Sequence, residues 1–252
     1  HKKMNIINKI KEKIKELLKW SKGNAKKNYY SFSLPAGKSC PSAFNCLAFV
    51  EIVDDKRIIK DSKFAEFRCY SASDEVRHTN VYNQRKHNFD LLKSCKTVDE
   101  IYNLLDASIP KIKFSPFRVH DSGDFFNQMY FDAWLKIAVN NPDCLYYAYT
   151  KSLNYWVERL DKIPNNFKLV ASYGGRHDHL IKKHNLISAI VVNHPSKAEE
   201  LNLKIDHDDS LAIKNNENFA LLLHGVQPKN SKSSKALSRM RREKIEFSYP
   251  RK

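Results

Sequence analysis

Six short segments of apolar and aromatic residues alternate with helical patterns along this chain, and this alternation constrains the fold more than any other feature. The segments have strand propensity and lie at Tyr30–Leu34, Phe117–His120, Leu145–Tyr149, Lys168–Ser172, Ala189–Asn193 and Ala220–His224. Several are continuously apolar, as in strands buried on both faces of a parallel sheet. Strands that alternate with helices predict right-handed βαβ units, so we expect an α/β fold with a partial (β/α)6-type parallel barrel or sheet. A doubly wound open sheet is the alternative.

The apolar spacing between these segments indicates helices. The clearest lies at Phe126–Val139, where Phe131 and Trp134 share one face. A long helical stretch over about 74–105 separates the first two strands, and residues 51–63 are predicted to form an exposed hairpin or loop. Shorter helices are predicted at Leu153–Leu160, His179–His184 and Lys197–Leu201.

The positive charge is concentrated at the two ends of the chain. The 252 residues carry 44 Lys and Arg against 28 Asp and Glu, a net charge of +16. Residues 1–27 hold a net +8 and residues 226–252 a net +7, which leaves the rest of the chain almost neutral. Because the length fits one large domain, the sequence predicts a basic amphipathic helical arm at 1–28, a single α/β domain at 29–228 and a basic tail at 229–252.

The two basic ends indicate a polyanionic partner. Met4–Trp20 has Ile and Leu at helical spacing with lysines between them, whereas the segment 229–252 lacks a strong apolar stripe. Lysines held to one side of a helix neutralise phosphates, so nucleic acid is the expected partner. For the first end, a helix packed on the domain with a solvated basic face and a helix lying on a membrane surface are the alternatives.

Three absences narrow the class of protein. No run of about 18 apolar residues is present, which argues against a transmembrane helix. No apolar segment with a small-residue cleavage site marks the start of the chain for secretion. The five cysteines are an odd number without a secretion signal, so we expect reduced thiols in a cytoplasmic protein.

Most of the six predicted strands are followed by ionisable or hydrogen-bonding residues. The carboxyl ends of parallel strands meet at one rim, where α/β proteins place their sites. The residues predicted to face a substrate there are His120, Asp121, Tyr149, Lys151 and Tyr173, and those predicted to bind a cofactor are Gly123, Asp124, Lys38 and His194. For Asp124, capping of the following helix is the competing interpretation.

Three cysteines near the first strand are candidate metal ligands. Cys40 and Cys46 lie on a proline-containing loop directly after that strand, and Cys69 follows an apparent insertion. Thiolates favour zinc or iron–sulfur clusters. Buried, unreactive cysteines are the alternative, because the spacing matches neither a Cys-x2-Cys pair nor a ferredoxin pattern. Cys95 and Cys144 are predicted to be structural.

Several motifs together resemble a family of phage and mobile-element proteins called gene product eighty-eight. The resemblance covers about residues 30–235 and rests on Leu34-Pro35-Ala36-Gly37-Lys38-Ser39-Cys40-Pro41, Phe67-Arg68-Cys69-Tyr70, His87-Asn88-Phe89, His120-Asp121-Ser122-Gly123-Asp124-Phe125, Ala148-Tyr149-Thr150-Lys151 and Ala171-Ser172-Tyr173-Gly174-Gly175. It implies a phage protein acting in a bacterial host and no particular reaction.

The order of Cys40, Cys46 and Cys69, followed by the segment 122–124, more distantly resembles radical S-adenosylmethionine enzymes. In those enzymes a partial barrel places three cysteines after the first strand, and a Gly-Gly-Glu-Pro-like turn after the second strand meets the cofactor. The resemblance implies a four-iron cluster on the three cysteines, with one iron free for S-adenosylmethionine. The chain departs from the usual Cys-x3-Cys-x2-Cys spacing, since its gaps are five and 22 residues.

These observations favour a phage-type iron–sulfur enzyme, similar to radical S-adenosylmethionine enzymes, that acts on or near nucleic acid. The alternative is an accessory protein without catalysis that binds nucleic acid or a host protein, with structural or zinc-bound cysteines. The substrate, the metal and the oligomeric state are left open.

Overall fold

The computed structural model describes residues 16–22, 29–110 and 116–246. The described strands are β1 (Ser21–Lys22), β2 (Tyr30–Ser33), β3 (Ala48–Val53), β4 (Lys56–Asp61), β5 (Phe117–Ser122), β6 (Tyr146–Thr150), β7 (Phe167–Ser172), β8 (Ser188–Val192), β9 (Lys204–Ile205) and β10 (Phe219–Leu222). The described helices are α1 (Tyr70–Arg77), α2 (Thr79–Ser94), α3 (Val98–Ser108), α4 (Gln128–Asn140), α5 (Leu153–Val157), α6 (His179–Lys183), α7 (Pro195–Glu200), α8 (Ser210–Lys214) and α9 (Lys232–Arg242).

A mostly parallel sheet forms the centre of this α/β fold. Its eight described strands lie in the order β1-β2-β5-β6-β7-β8-β10-β9. β1 pairs antiparallel with β2, and the other pairs are parallel. All six predicted strands are present, and the prediction of a parallel α/β sheet is confirmed. From β2 to β8 the parallel strands follow chain order, so this part of the sheet lacks the reversal of direction that defines a doubly wound sheet.

The main core lies between the sheet and α4. The helix begins at Gln128, after Asn127, whose side chain accepts a hydrogen bond from the Tyr130 amide at 2.8 Å. Trp134 and Phe131 are fully buried, as the predicted apolar face requires, and they pack with Phe117 of β5. A side chain as large as tryptophan removes more than 150 Å² of apolar surface from water, so this contact anchors the helix to the sheet.

The opposite face of the sheet is covered by the short helix α8. Side chains of a strand alternate between faces, and in β6 Tyr146 belongs to the α4 side whereas Tyr147 packs with Ala212 of α8. Phe167 and Val170 of β7 divide in the same way. Both faces of the central strands are therefore buried, which explains their continuously apolar sequence.

The region between β2 and β5 contains a hairpin and three helices. β3 and β4 pair antiparallel around the turn at Asp54 and Asp55, which confirms the predicted exposed hairpin. The long helical stretch predicted over 74–105 is confirmed as helical, although it is divided into α1, α2 and α3.

The two basic ends of the chain have different outcomes. The helix predicted at Met4–Trp20 lies mostly outside the described residues, and residues 16–20 are not helical. The absence of an apolar stripe predicted for 229–252 is wrong over residues 232–242, because α9 buries Leu237 and Met240. Two large apolar side chains one turn apart do not form a strong periodic pattern in the sequence, but they are enough to dock a helix this short. No helix in the described part of the chain is long and apolar enough to cross a membrane.

Candidate functional site

The three predicted cysteine ligands line one cavity at the carboxyl ends of the parallel strands. Cys40, Cys46 and Cys69 form one wall of this cavity, whose volume is about 200 Å³. Three further walls come from the ends of β5 and β6, from the start of α1, and from the apolar residues Leu221–Leu223 at the end of β10. Cys95 and Cys144 do not line it.

A tight turn positions Cys40. Gly37 has a φ of +68°, and a Cβ at this position would lie 2.4 Å from the Ala48 carbonyl oxygen, so only glycine fits. The amide of the neighbouring Ala36 donates to Glu75 Oε1 at 2.8 Å, and Arg85 Nη1 donates to the same oxygen at 2.9 Å. A buried ion pair therefore holds the turn that leads to the first thiol.

The loop from Cys40 to Cys46 is fixed against the loop that follows β7. The amides of Phe44 and Asn45 donate to the Gly174 carbonyl at 3.2 and 2.9 Å. Gly174 has a φ of +91°, and a Cβ there would lie 2.0 Å from the Asn45 side chain. The glycine motif after β7 thus serves to let the cysteine loop approach.

Cys69 reaches the cavity because the segment after β10 holds its neighbours. Gln227 Oε1 accepts from the Arg68 amide at 2.8 Å, and Gln227 Nε2 donates to the Arg68 carbonyl at 3.1 Å. Tyr70, the first residue of α1, donates its hydroxyl proton to the Asp121 carbonyl. These contacts span the cavity from β10 to β5.

Burial makes the three thiols resist ionisation. It raises the pKa of Cys40 and Cys69, and it raises the pKa of Cys46 to about 11 although the Lys151 ammonium opposes this. The other two thiols also raise the pKa of Cys40, which shows that the three sulfurs influence one another. Within the described residues, no three His, Cys, Asp or Glu side chains lie close enough together to hold a single metal ion.

Asp124 joins the ends of β5 and β6. Its carboxylate accepts hydrogen bonds from the Thr150 hydroxyl at 2.6 Å and from the amides of Lys151 and Phe125 at 2.8 and 2.7 Å. Burial raises the pKa of Asp124 to about 6, and these three donors oppose the shift. The capping interpretation for Asp124 is wrong, because α4 is capped by Asn127.

Lys151 also connects strand ends. Its ammonium donates to the Ser172 hydroxyl at 2.8 Å and to the carbonyls of Ser172 and Tyr173 at the end of β7. The side chain is almost fully buried. Three acceptors therefore occupy an ammonium that was predicted to face a substrate.

His120 forms part of the cavity wall, but its ring packs towards α4. Its Nε2 lies 2.9 Å from the Tyr130 hydroxyl oxygen, and its ring centroid lies 4.7 Å from that of Phe125. Burial lowers the pKa of His120 to about 3, with a smaller contribution from the Arg118 charge. Burial therefore favours the neutral imidazole, and the ring contributes to the wall of the cavity.

The structure adds a charged cluster that the sequence did not reveal. Arg118 Nη1 lies 3.0 Å from Asp121 Oδ1 and 3.3 Å from Asp209 Oδ2. The hydroxyls of Tyr147 and Tyr149 donate to the Asp209 carboxylate at 2.9 and 3.2 Å. Arg118 lies two residues before His120, and this position was a usable signal, whereas nothing in the sequence linked Asp209 to it.

The predicted site residues therefore divide into two groups. Those that line the cavity are Cys40, Cys46, Cys69, His120, Asp121, Gly123, Asp124, Tyr149 and Lys151. Lys38 is exposed, Tyr173 contributes only its carbonyl to Lys151, and His194 caps α7 and pairs with Glu243. Lys38, Tyr173 and His194 lie outside the cavity, so the expectation that His194 and Tyr173 share it with the cysteines is wrong.

The chain matches the family model described as Gene product 88 over residues 7–243. It is 28% identical over 130 residues to the Gene 88 protein of Mycobacterium phage L5, which covers 48% of this chain and 47% of that protein. The Gene 88 protein of Mycobacterium phage D29 is 26% identical over 130 residues, with the same coverage. The chain thus spans about half the length of the curated relatives it matches. No solved structure matches it significantly. The chain belongs to the gene product 88 family, as its motifs predicted.

Proposed function

We propose that this gene product 88 protein holds an iron–sulfur cluster on Cys40, Cys46 and Cys69 and acts on nucleic acid, in the manner of radical S-adenosylmethionine enzymes. The observation that carries the proposal is the placement of three thiols, which come from two separate segments of the chain, around one cavity. The two other cysteines lie elsewhere. Thiolates are the ligands that such clusters require.

The proposal is for a multi-iron cluster rather than a single ion. A single zinc ion needs its ligands about 2.3 Å from one centre, whereas a cluster distributes its thiolates around several irons. Cys40, Cys46 and Cys69 are partly buried and line one cavity, and no group of three ligands for a single ion is found within the described residues. Iron would also stabilise the thiolate form, which burial alone disfavours.

The strand order supports the partial barrel of such enzymes. The parallel strands follow chain order from β2 to β8, with β10 next to β8. The hydrogen bonds between Gln227 and Arg68 then join the segment after β10 to the segment before α1. We propose that the sheet curves so that these two sides approach each other.

When bound, the cluster would supply one electron to S-adenosylmethionine. The protein's own residues would position the reactants. Gly123 has a φ of +86°, and a Cβ there would lie 2.5 Å from the Ser39 hydroxyl oxygen, so this glycine lets the end of β5 touch the cysteine loop. Arg118 and Asp121 offer a charged pair in the lining of the cavity, and Leu221–Leu223 supply an apolar part of that lining.

The test is the metal content of protein purified without oxygen. We expect broad visible absorption from an iron–thiolate cluster and about three to four irons per chain. Single Ser substitutions at Cys40, Cys46 or Cys69 should each lose the iron. The matched controls Cys95→Ser and Cys144→Ser should retain it, because neither thiol lines the cavity.

Two outcomes would contradict the proposal. One is equal metal loss at all five cysteines, or loss at none of them. The other is a colourless protein with one zinc per chain, which would favour the alternative of a non-catalytic nucleic-acid-binding protein.

A further inference from the structure

Exposed apolar side chains are concentrated in the segment that carries the cysteines. Of the eight large apolar side chains exposed in the described residues, five lie between positions 44 and 64. Two of them, Phe44 and Phe64, stack with ring centroids 5.5 Å apart and planes 15° from parallel. They remain 41% and 56% exposed, so their stacking on each other does not hide them from water.

The Phe44–Phe64 pair is fixed beside the loop that carries Cys40 and Cys46. Phe44 lies within the loop from Cys40 to Cys46, and Phe64 lies between β4 and Cys69. The carbonyl of Asn45 accepts from the amides of Glu66 and Phe67 at 2.7 and 3.3 Å, which joins the two loops next to the rings. The ammonium of Lys63 lies 4.9 Å from the centroid of the Phe64 ring.

The helix α9 offers a basic surface close to this pair. Its exposed face carries Lys232, Lys235, Arg239 and Arg242. The acidic Glu243 at its end is paired with Arg239 and His194. Phe67 packs into the apolar cluster that holds Leu237 and Met240 of α9. Since three residues span at most about 11 Å, the backbone of Phe64 lies within about 11 Å of that of Phe67.

We propose that an unpaired nucleic-acid strand lies across this rim, with its phosphates on α9 and a base stacked on the Phe44–Phe64 pair. The proposal rests on the proposed function, since it names the form of nucleic acid that reaches the cavity. Basic surfaces that follow the backbone and exposed aromatic rings that stack on bases are the two elements of single-strand binding. A duplex would use only the basic surface, because its bases are already stacked on one another.

The nearby acidic groups cancel only part of this surface, because Glu243 pairs with one of its four cations, Arg239. Asp61 is paired with Arg68, and Glu243 is paired as described above. Glu66 and Glu246 are the exposed carboxylates closest in sequence to the two elements. Four cations on one face of a short helix, one of them paired with Glu243, favour a polyanion over an apolar or basic protein partner.

The experiment is a titration of the full chain with a labelled single strand and with its duplex, both about 20 nucleotides long. Phe44→Ala/Phe64→Ala should weaken single-strand binding about 5- to 150-fold, which is the effect of losing one base stack. Its effect on the duplex should be small. Phe44→Leu/Phe64→Leu keeps an apolar surface without rings and should weaken single-strand binding to a similar extent.

Two further variants complete the design. Lys235→Gln/Arg242→Gln should weaken both ligands and lower the salt slope by about 1.4 to 1.8. The control Val139→Ala/Leu201→Ala removes two exposed apolar side chains far from the pair in sequence and should change nothing.

Three results would overturn the inference. The first is a Phe variant that binds the single strand as well as the parent does, and the second is an equal loss of affinity for the single strand and the duplex. The third is an equal, Phe-dependent affinity for polyglutamate, which would indicate an acidic protein partner. Iron content, measured on the same samples, separates this inference from the cluster. Single-strand binding that depends on the Phe pair in iron-free protein would support the inference while removing the cluster. A full cluster with unchanged single-strand binding in the Phe variants would support the cluster and overturn the inference.

Discussion

The buried ion pair of Arg85 and Glu75 gives the sharpest test of how the cysteine turn is held. The two side chains are 8% and 1% exposed and lie 2.9 Å apart. Arg85→Leu would leave the Glu75 carboxylate buried with the Ala36 amide as its remaining donor. Removing one partner of a buried pair costs about 3–5 kcal/mol. At about 2–4 °C per kcal/mol for a chain of this size, the melting temperature should fall by about 6–20 °C.

The loss should depend on pH. Burial raises the pKa of Glu75, and the Arg85 charge opposes this shift. Without the cation the folded-state pKa rises further above that of the unfolded chain. The neutral carboxyl therefore favours folding at low pH, and this contribution disappears as the pH rises through the folded-state value. The variant should lose more stability, relative to the parent, at about pH 8 than at about pH 5.

Denaturant unfolding at the two pH values measures this effect. Adding Glu75→Gln to Arg85→Leu removes the stranded charge and should recover part of the loss. The matched control is Lys136→Ala, which breaks the exposed pair with Asp99 and should cost less than about 1 kcal/mol. A loss below about 1 kcal/mol for Arg85→Leu, or the same loss at both pH values, would refute the reasoning.

Three further predictions concern other parts of the fold. The pKa of Asp124 is raised from 3.8 to about 6, so its neutral carboxyl stabilises the fold below about pH 4, and about 3 kcal/mol of this stability is lost as the pH rises through 6. Unfolding curves of Asp124→Asn should lack this pH dependence, and an unchanged profile would contradict the prediction. Leu237→Ala should destabilise the domain by about 2–5 kcal/mol and expose α9 to proteolysis, whereas exposed Val139→Ala should do neither. Gly123→Ala should lower the melting temperature, because its Cβ would lie 2.6 Å from the Leu34 Cβ; a melting temperature equal to that of the parent would show that the loop can shift.

The sequence predicted the sheet well and the orientation of individual side chains poorly. The six strands were recognisable because burial on both faces leaves a continuous apolar run, and Trp134 and Phe131 defined α4 by their spacing. The direction of the His120 ring was not predictable, because Ser31 pairs with Arg118 and Ser33 pairs with Ser122, so that a step of two residues along β2 matches a step of four along β5. Such an irregularity breaks the alternation of side chains between the two faces of the sheet, and no residue pattern predicts it.

The residues of the candidate site were easiest to predict where they come soon after a predicted strand. Cys40, Asp121 and Lys151 do, and they line the cavity. Asp209 reaches Arg118 from 91 residues further along the chain, through a turn before α8. A contact of this kind depends on how α8 packs across the sheet, which local periodicity does not determine.

The link between Gln227 and Arg68 also sets the order in which the site can form during synthesis. The two residues are 159 positions apart, and the cysteines all precede the later one. At about 5–20 residues per second, roughly 8–32 s separate the emergence of Cys69 from that of its anchor. During that interval the cavity is incomplete, and the three thiols are accessible to oxidants and to metal donors. The cavity can therefore be completed only after β10 and the following segment have been synthesised.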